Sequence, residues 1–170
     1  MAPSILVTYA TKHGSTREVA EAIAGTLSDQ GLGVHVEPAV DVDDLSAYGG
    51  VVLGTALYMG RPHADARRFL KRYHTALSAI PVAIFAMGPR TTGTDDVAGS
   101  KKQLDHALAA VSDISPISTA IFGGVVDPAK LQFPFSHMEA SDARDWTSIE
   151  AWAREVAALL DARVPITAAS

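Results

Sequence analysis

The 170-residue sequence contains no cysteine. This absence excludes disulfides, thiol chemistry and cysteine-ligated zinc or iron–sulfur sites. The six histidines are scattered, and none forms the HExxH pattern or another closely spaced ligand set, so no metal site is predicted. No apolar run approaches the roughly 20 residues that a membrane-spanning helix needs, and the first residues lack the features of a secretory signal. We therefore predict a cytoplasmic protein whose contact with a membrane is at most peripheral.

The chain also has fewer basic than acidic residues: 14 Lys and Arg and 19 Asp and Glu, which give a net charge of −5. A nucleic-acid surface normally carries a clustered basic excess, so nucleic acid is not predicted as a partner. Hydrophobic residues make up 48% of the sequence and charged residues 19%, which is typical of a folded protein rather than a disordered one. Because no repeat, low-complexity tract or linker interrupts the chain, one domain over residues 1–170 is predicted.

Short apolar runs alternate with helical patterns along the chain. The segments that predict strands are 4–10, 34–39, 49–56, 81–88 and 117–124. Most are continuous apolar runs, as buried parallel strands are, whereas the second alternates apolar and polar residues and contains Pro38, as an edge strand does. The alternation of strands and helices predicts an α/β fold, a three-layer sandwich around a five-stranded parallel sheet in the order 2-1-3-4-5.

Local signals predict where several helices begin. The segments "STRE" (15–18) and "TSIE" (147–150) have the S/T-x-x-E spacing of a capping box, which marks a helix N-terminus. After the third strand, Pro62 suits the first turn of a helix whose apolar face continues to Leu77.

The turn after the first strand, "TKHGST" (11–16), is small, polar and free of carboxylates. In a sheet of the predicted order, ligands bind beyond the carboxyl ends of strands 1 and 3, where the order reverses. A helix that starts there offers free backbone N–H groups, to which hydroxyls add further donors. The residues that could bind a phosphate in this way are Thr11, His13, Gly14, Ser15 and Thr16. The same turn also fits a plain connection with a serine cap.

Known phosphate motifs narrow the alternatives. The P-loop pattern GxxxxGK[ST] and the dinucleotide pattern GxGxxG are both absent. A phosphate-accepting receiver domain needs acidic residues at the end of strand 1, where this chain has "TYA". The missing cysteine excludes a cysteine phosphatase.

The turns after strands 3 and 4 suit a flat ring. The first contains Tyr58 between Leu57 and Met59, and aromatic and flexible apolar side chains pack well on a planar heterocycle. The second, "GPRTTGTDD" (88–96), is rich in glycine and threonine, as loops that face a ligand with their backbone often are. Either segment also fits an ordinary surface connection. Taken together, the three turns predict a mononucleotide-like ligand with one phosphate and a large aromatic ring.

Four segments of the sequence resemble a known family. They are "ILVTYATKHGSTREVAEAIA" (5–24), "VVLGTALYMGRPH" (51–63), "RRFLKRYHTALSAIPVAIFAM" (67–87) and "DWTSIEAWAREVAAL" (145–159). The first resembles the flavin mononucleotide (FMN) phosphate loop of flavodoxin-like proteins. The whole set is similar to the flavodoxin-like branch that includes the menaquinone-dependent protoporphyrinogen oxidases.

The resemblance implies a flavodoxin-like fold and FMN as the cofactor. It places the phosphate at the turn after strand 1 and the flavin ring between the turns after strands 3 and 4. The residues expected to contact FMN are Thr11, His13, Gly14, Ser15, Thr16, Leu57, Tyr58, Met59, Gly60, Gly88, Pro89, Arg90, Thr91, Thr92 and Gly93. No residue stands out as a catalytic acid or base.

The segment 125–144 departs from the family. The related oxidases are expected to have a longer segment here, rich in aromatic and basic residues, whereas this one has only Lys130 and Arg144 as fixed positive charges. FMN binding is therefore better supported than any particular substrate. The run "FPF" (133–135) suits an apolar lip over the flavin, core packing or a homodimer contact.

Three functional hypotheses follow. The first is an FMN-dependent oxidoreductase, of the protoporphyrinogen dehydrogenase type, that passes electrons to a small-molecule or quinone-type acceptor. The second is a flavodoxin-type electron carrier that serves a redox partner protein and has no substrate of its own. A carrier usually presents a strongly acidic face, and the acidic residues expected near the flavin are few. The third is a scaffold that has lost its flavin and binds another protein.

Overall fold

The structure, a computed structural model, describes residues 4–11, 14–58, 61–87, 94–122, 125–126, 141–142, 144 and 146–163. Its strands are β1 (Ser4–Ala10), β2 (Val34–Pro38), β3 (Tyr48–Tyr58), β4 (Arg61–Pro62), β5 (Val82–Met87), β6 (Ser118–Phe122), β7 (Val125–Val126) and β8 (Ser141–Asp142). Its helices are α1 (Ser15–Asp29), α2 (Ala64–Arg72), α3 (His74–Ala79), α4 (Thr94–Ala109) and α5 (Trp146–Arg163), with a short 3-10 turn at Ala39–Asp41.

Five strands form a parallel sheet in the order β2-β1-β3-β5-β6. Among the parallel strands this is the predicted order 2-1-3-4-5, so the predicted three-layer α/β fold is confirmed. β2 is the edge strand, as its alternating pattern and Pro38 predict. The chain order reverses between β1 and β3, and this puts a ligand-binding position at their carboxyl ends.

A sixth strand was not predicted. β4 has two residues and pairs antiparallel with the end of β3. The prediction that Pro62 lies in the first turn of a helix is therefore wrong, because Pro62 belongs to β4 and the helix begins at Ala64. β7 and β8 form a separate two-stranded antiparallel pair.

Two hydrophobic cores cover the two faces of the sheet. On one face, α1 and α5 pack together over the sheet, with Ile23 and Val156 fully buried in the same core. On the other face lie α2, α3 and α4, whose buried side chains include Phe69 and Leu104. These two faces make the three layers, and both bury the apolar stripe of each helix.

Gly54 allows a close approach between two central strands. A Cβ atom added at Gly54 would lie 2.1 Å from the Cζ atom of Phe85, a separation that real Cβ atoms do not reach. The Phe85 ring, which is completely buried, lies over β3 at a point where a side chain is missing. It also makes an edge contact with Trp152 of α5, with ring centroids 5.9 Å apart.

α1 begins without the predicted capping box. Its N-cap is Gly14, in the left-handed region at φ +88°, and no side chain of the described residues caps the helix. The prediction of a Ser15–Glu18 box is therefore wrong, because Ser15 is already the first helical residue and Gly14 takes the N-cap position. The Glu18 carboxylate forms an ion pair with Arg144.

α5 also begins differently from the prediction. The helix starts at Trp146, so Thr147 lies inside it, and the Glu150 carboxylate accepts a hydrogen bond from Arg154 at 2.6 Å. The predicted box at 147–150 is therefore wrong. The T-x-x-E spacing of 147–150 lies one residue inside the helix.

The predicted helix from residue 62 to Leu77 is divided in two. α2 ends at Arg72, and α3 begins at His74. Between them the Tyr73 hydroxyl donates a 2.6 Å hydrogen bond to the carbonyl of Val42 in another part of the chain. The apolar face itself continues through both helices into the same core.

Candidate functional site

The carboxyl ends of three neighbouring strands bring the predicted turns together. The Cα atoms of Ala10 in β1 and Thr55 in β3 are partners in the ladder, and so are those of Ala56 in β3 and Met87 in β5. The turns that follow β1, β3 and β5 therefore leave the same edge of the sheet side by side. This is the edge at which the chain order predicts a ligand.

A hydrogen bond joins the two described ends of the β1–α1 turn. The backbone N–H of Gly14 donates to the Thr11 hydroxyl oxygen at 3.1 Å. Gly14 adopts φ +88°, and a Cβ atom placed there would meet nothing within 4 Å. Glycine is therefore required at this position by backbone conformation rather than by space. The turn keeps open room beside the start of α1.

The first turn of α1 holds donors that no described residue uses. Helix geometry leaves the N–H groups of Ser15, Thr16 and Arg17 without intrahelical acceptors. The Thr16 side chain is completely buried, and its hydroxyl has no hydrogen-bond partner among the residues described. Buried hydroxyls are normally paired, so this one fits an acceptor supplied from outside. A phosphate oxygen at the helix N-terminus meets that requirement.

Thr8 is the other residue in the described part of the chain with a buried, unpaired hydroxyl. It lies within β1 rather than at the end of the strand. Its position gives it no link to the turn at residues 11–16. Of the two threonines, Thr16 is the one that combines an unpaired hydroxyl with the free N–H groups of a helix start.

A cluster of charged and aromatic side chains borders this turn. The Arg144 guanidinium donates to the Glu18 carboxylate and lies 4.9 Å from the centre of the Trp146 ring. The Arg144 side chain is only 12% exposed, although that of Glu18 is 61% exposed. One helical position earlier, the hydrogen bond from Arg17 to the Glu21 carboxylate raises the pKa of Arg17. Nothing in the sequence signals the Arg144 contact, because its partners lie 126 residues apart.

The β3–β4 hairpin forms the second turn at this edge. Its ladder pairs Leu57 with Pro62 and Tyr58 with Arg61. The Leu57 side chain is partly buried against the core beneath α2. The predicted ring-contacting segment from Leu57 to Gly60 therefore spans the end of β3 and the two residues that join the strands of the hairpin.

Thr55 and His63 fix the base of the hairpin. The Thr55 hydroxyl accepts a hydrogen bond from the backbone N–H of His63 at 3.0 Å and donates to the carbonyl of Ala56 at 3.0 Å. His63 is also the N-cap of α2, because its Nδ1 atom accepts from the backbone N–H of Asp65 at 3.1 Å. Neither role was predicted from the sequence, since histidine is not among the usual N-cap residues.

Several predicted site residues lie outside the described part of the chain. They are His13, Met59, Gly60, Gly88, Pro89, Arg90, Thr91, Thr92 and Gly93. The contacts of these residues with a cofactor stay predictions, as do those of Leu57, Tyr58, Thr11, Gly14, Ser15 and Thr16. Within the described residues, no group of three or more His, Asp or Glu side chains is placed to hold a metal ion.

The chain matches a known protein family over most of its length. A family model described as "Flavodoxin domain" matches residues 6–138. The chain belongs to the flavodoxin domain family. The match includes the β1–α1 turn, the β3–β4 hairpin and the segment after β5, so all three turns of the site lie inside the flavodoxin domain.

Individual relatives of this flavodoxin domain are distant. A Leishmania major protein named protoporphyrinogen IX dehydrogenase [quinone] is 25% identical over 177 residues, covering 92% of this chain and 76% of the relative. A cysteine-to-alanine mutant of flavodoxin from Pseudomonas aeruginosa has the same fold, with a TM-score of 0.62 and 19% identity over 93% of this chain and 99% of its own. A flavoprotein from Lactobacillus acidophilus solved in complex with FMN has a TM-score of 0.54 and 17% identity over 71% of this chain and 93% of its own.

None of the helices in the described ranges has the combination of length and hydrophobicity that crossing a bilayer requires.

Proposed function

We propose that this flavodoxin domain binds FMN at the carboxyl edge of its sheet and acts as an oxidoreductase of the protoporphyrinogen dehydrogenase type, with a quinone as the electron acceptor. The observation that carries the proposal is the buried hydroxyl of Thr16 at the N-terminus of α1, which none of the described residues pairs. It needs an acceptor, and the FMN phosphate supplies one. The flavoprotein solved with FMN has the same fold and supports this choice of cofactor.

The chain's own groups fit the phosphate of FMN. Thr16 donates from its hydroxyl, and the N–H groups of Ser15 and Thr16 donate from the first turn of α1. Gly14, which carries no Cβ, leaves space for the phosphate to approach the backbone. The positive end of the α1 dipole adds attraction for the phosphate charge. All of these groups belong to one helix start, which is formed without the phosphate.

The β3–β4 hairpin positions the other part of the cofactor. Bound FMN supplies the electron chemistry through its flavin ring. The hairpin, held at its base by Thr55 and His63, would flank one side of the ring. A base that is formed before binding lowers the cost of ordering the residues that exclude water there.

The enzymatic part of the proposal is supported by the relative from Leishmania major. Its name specifies a dehydrogenase of protoporphyrinogen IX that uses a quinone, and the alignment covers 92% of this chain. A second candidate function, electron carriage between proteins, is supported by the flavodoxin from Pseudomonas aeruginosa, 99% of whose chain matches this fold. The two functions share the FMN site and differ in what accepts the electrons.

FMN and riboflavin binding to Thr16→Val tests the cofactor site, because riboflavin is FMN without the phosphate. A hydrogen bond to a charged group is worth about 1.5–3 kcal/mol, so we expect the variant to bind FMN roughly 10- to 150-fold more weakly. Riboflavin affinity should stay unchanged. Thr16→Ser, which keeps the hydroxyl, is the control and should restore FMN binding. Equal losses for FMN and riboflavin would contradict the phosphate assignment.

A second experiment separates enzyme from carrier. The FMN-loaded protein is mixed with protoporphyrinogen and a soluble menaquinone analogue, and porphyrin fluorescence is followed. Porphyrin formation that depends on both the protein and the quinone supports the dehydrogenase. If porphyrin forms no faster than without protein, while the reduced flavin is reoxidised quickly by a redox protein, the carrier function is correct.

A further inference from the structure

The solvent face of α2 is uniformly basic. Four residues of this helix are exposed, and each is an arginine or a lysine: Arg67, Arg68, Lys71 and Arg72. Their spacing of one, three and four residues puts them on one continuous side of the helix. The opposite side, which includes Phe69 and Leu70, is buried in the core. No fully exposed position of α2 is neutral or acidic.

The basic surface reaches the candidate flavin site. Arg61, in β4, is also exposed and lies at the hairpin that we expect to flank the ring. We call these five residues, Arg61, Arg67, Arg68, Lys71 and Arg72, the basic face. With a rise of 1.5 Å per residue, α2 extends the basic face about 12 Å away from the hairpin.

Few carboxylates neutralise the basic face. Arg68 pairs with Asp65 at 3.4 Å, while the Arg67 Nε atom donates to the carbonyl of Pro62 at 3.3 Å. The Arg72 guanidinium lies 5.2 Å from the centre of the Tyr73 ring. In the part of the chain that the structure describes, none of Arg67, Lys71 and Arg72 is paired with a carboxylate.

The basic face contrasts with the rest of the protein. Residues 61–72 contain five Arg and Lys and one Asp, a net charge of +4, whereas the whole chain has −5. The remaining residues therefore carry −9 together. Such a separation creates a directional field, which orients and attracts a partner of opposite charge before contact.

We propose that the basic face docks an acidic electron-transfer protein, which exchanges electrons with the flavin next to the β3–β4 hairpin. This inference rests on the proposed FMN site and adds a second electron route to it. Charge complementarity argues for the partner's acidic surface. The position of Arg61 at the hairpin puts the docked partner beside the flavin. Interfaces of transient redox pairs are small and electrostatically steered, and one helix face is a suitable size.

A membrane or a nucleic acid fits the basic face less well. Helices that bind a bilayer surface insert apolar side chains beside their basic ones, and the large apolar residues of α2, Phe69 and Leu70, are buried in the core. A bilayer or a nucleic acid is also a large, uniformly negative surface, so it repels the −9 carried elsewhere on the protein. A compact acidic patch on a protein meets α2 without that repulsion.

Electron transfer from an acidic ferredoxin of the plant [2Fe–2S] type tests the docking. Each reduced ferredoxin gives up one electron, so two ferredoxins and two protons from solvent reduce one flavin fully. The rate is followed by the loss of flavin visible absorbance in a stopped-flow instrument at low salt.

The test variant is Lys71→Glu with Arg72→Glu. The matched control is Lys102→Glu with Arg154→Glu, which changes the same residue types on the exposed sides of α4 and α5.

We expect the α2 variant to lower the second-order rate constant about 10-fold or more, because steering by opposite charge typically contributes about 10- to 1,000-fold. The control variant, with the same net charge, should lower it much less. The difference should disappear near 1 M salt, where the Debye length is about 3 Å. Equal rates for the two variants at low salt would overturn the proposal.

Further measurements keep the result unambiguous. The milder variant Lys71→Gln with Arg72→Gln, checked by its Tm, should show a smaller loss of the same kind if the fold is intact. Ferredoxin binding to the FMN-free protein, measured by calorimetry, separates the docking from the cofactor: binding without FMN uptake would support the basic face and refute the proposed function. Binding of the wild-type protein to phosphatidylserine vesicles but not to ferredoxin would assign the basic face to a membrane and overturn the inference.

Discussion

The β1–α1 turn and the β3–β4 hairpin follow neighbouring strands at the same edge of the sheet. A buried threonine lies beside each of them, and the two threonines differ in their hydrogen bonding. Thr55 is 2% exposed, and its hydroxyl both donates and accepts a hydrogen bond within the protein. Thr16 is also buried, and its hydroxyl is unpaired among the described residues. The comparison indicates that the Thr55 hydroxyl needs no ligand to be paired, whereas the Thr16 hydroxyl is left free to donate to the phosphate that we propose.

Replacement of Gly54, which directly precedes Thr55 in β3, should lower the stability of the protein more than any of the other substitutions. In Gly54→Ala the new methyl group would overlap the Phe85 ring, and we expect a loss of about 3 kcal/mol or more in the free energy of unfolding, at the upper end of overpacking effects. Chemical denaturation gives the value. Gly25→Ala, in α1 with no atom within 4 Å of the new Cβ, is the control and should stabilise the helix by up to about 1 kcal/mol. A second change, Phe85→Leu, should recover part of the loss, and no recovery would mean that the overlap is not the cause.

The two threonines should respond differently to valine in the FMN-free protein. Thr55→Val removes one of the two acceptors of the His63 N–H, which also donates to the carbonyl of Ala56 at 3.0 Å, so we expect a loss of about 0.5–1.5 kcal/mol in the free energy of unfolding. Thr16→Val removes a buried hydroxyl without a described partner, so we expect no loss and a gain of up to about 1–3 kcal/mol, the cost of burying an unpaired polar group. Urea denaturation of the apoprotein measures both. If Thr16→Val were as destabilising as Thr55→Val, the Thr16 hydroxyl would have a partner inside the protein and the comparison would fail.

Substitution of His63 tests how much stability the N-cap of α2 contributes. His63→Ala removes the Nδ1 acceptor for the Asp65 N–H, and we expect α2 to lose about 1 kcal/mol, the usual value of an N-cap. His63→Asn keeps an acceptor of similar reach and should restore most of the stability. Thermal unfolding compares the three proteins. A histidine that cannot be replaced by asparagine would have a role other than capping.

An ion pair far from both turns should give the smallest effect and a distinct pH dependence. The hydrogen bond between Asp113 and His74, 2.6 Å long, lowers the pKa of Asp113. A lowered pKa in the folded state adds stability above the unfolded pKa of about 3.9, and this contribution is lost as the pH falls through the folded pKa. Asp113→Asn should therefore lower the Tm slightly at about pH 5 and make no difference near pH 2. Asp43→Asn, at an exposed carboxylate with no hydrogen bond within the described structure, is the control and should leave the Tm unchanged at either pH.

The main features of the fold could be predicted because they depend on periodicity. Continuous apolar runs identified the parallel strands, and the alternating pattern with Pro38 identified the edge strand. The order of the sheet then put the site at the ends of β1 and β3. All of these depend on residues that are neighbours in the sequence, where a pattern is visible.

The missed features depend on contacts between distant residues. The Ser15–Glu18 box was wrong because Gly14 is the N-cap residue, and the contact of Glu18 with Arg144, far along the chain, was missed. The β4 strand was missed because two residues carry no pattern, and the hydrogen bond between Thr55 and His63 holds its end in place. The division of the helix at Tyr73 depends on the carbonyl of Val42.

The candidate site could be predicted from the sequence only in part. Thr11, Gly14 and Thr16 were predicted from their residue types, yet only the structure shows that the Thr16 hydroxyl is buried and has no partner within the described ranges. Four of the five residues of the basic face stand in the stretch "RRFLKR" (67–72), but the sequence does not show which of its residues are exposed. Only the structure shows that basic residues occupy every fully exposed position of α2.

The contact between Arg144 and Glu18 also has a consequence for synthesis of the protein. A ribosome that adds about 5–20 residues per second needs roughly 6–25 seconds to make the 126 residues between them. Throughout that interval the apolar side of α1 lacks the cover that α5 gives it, and a chaperone acting on nascent chains can bind there. We expect α1 to reach its final packing only after α5 has been translated.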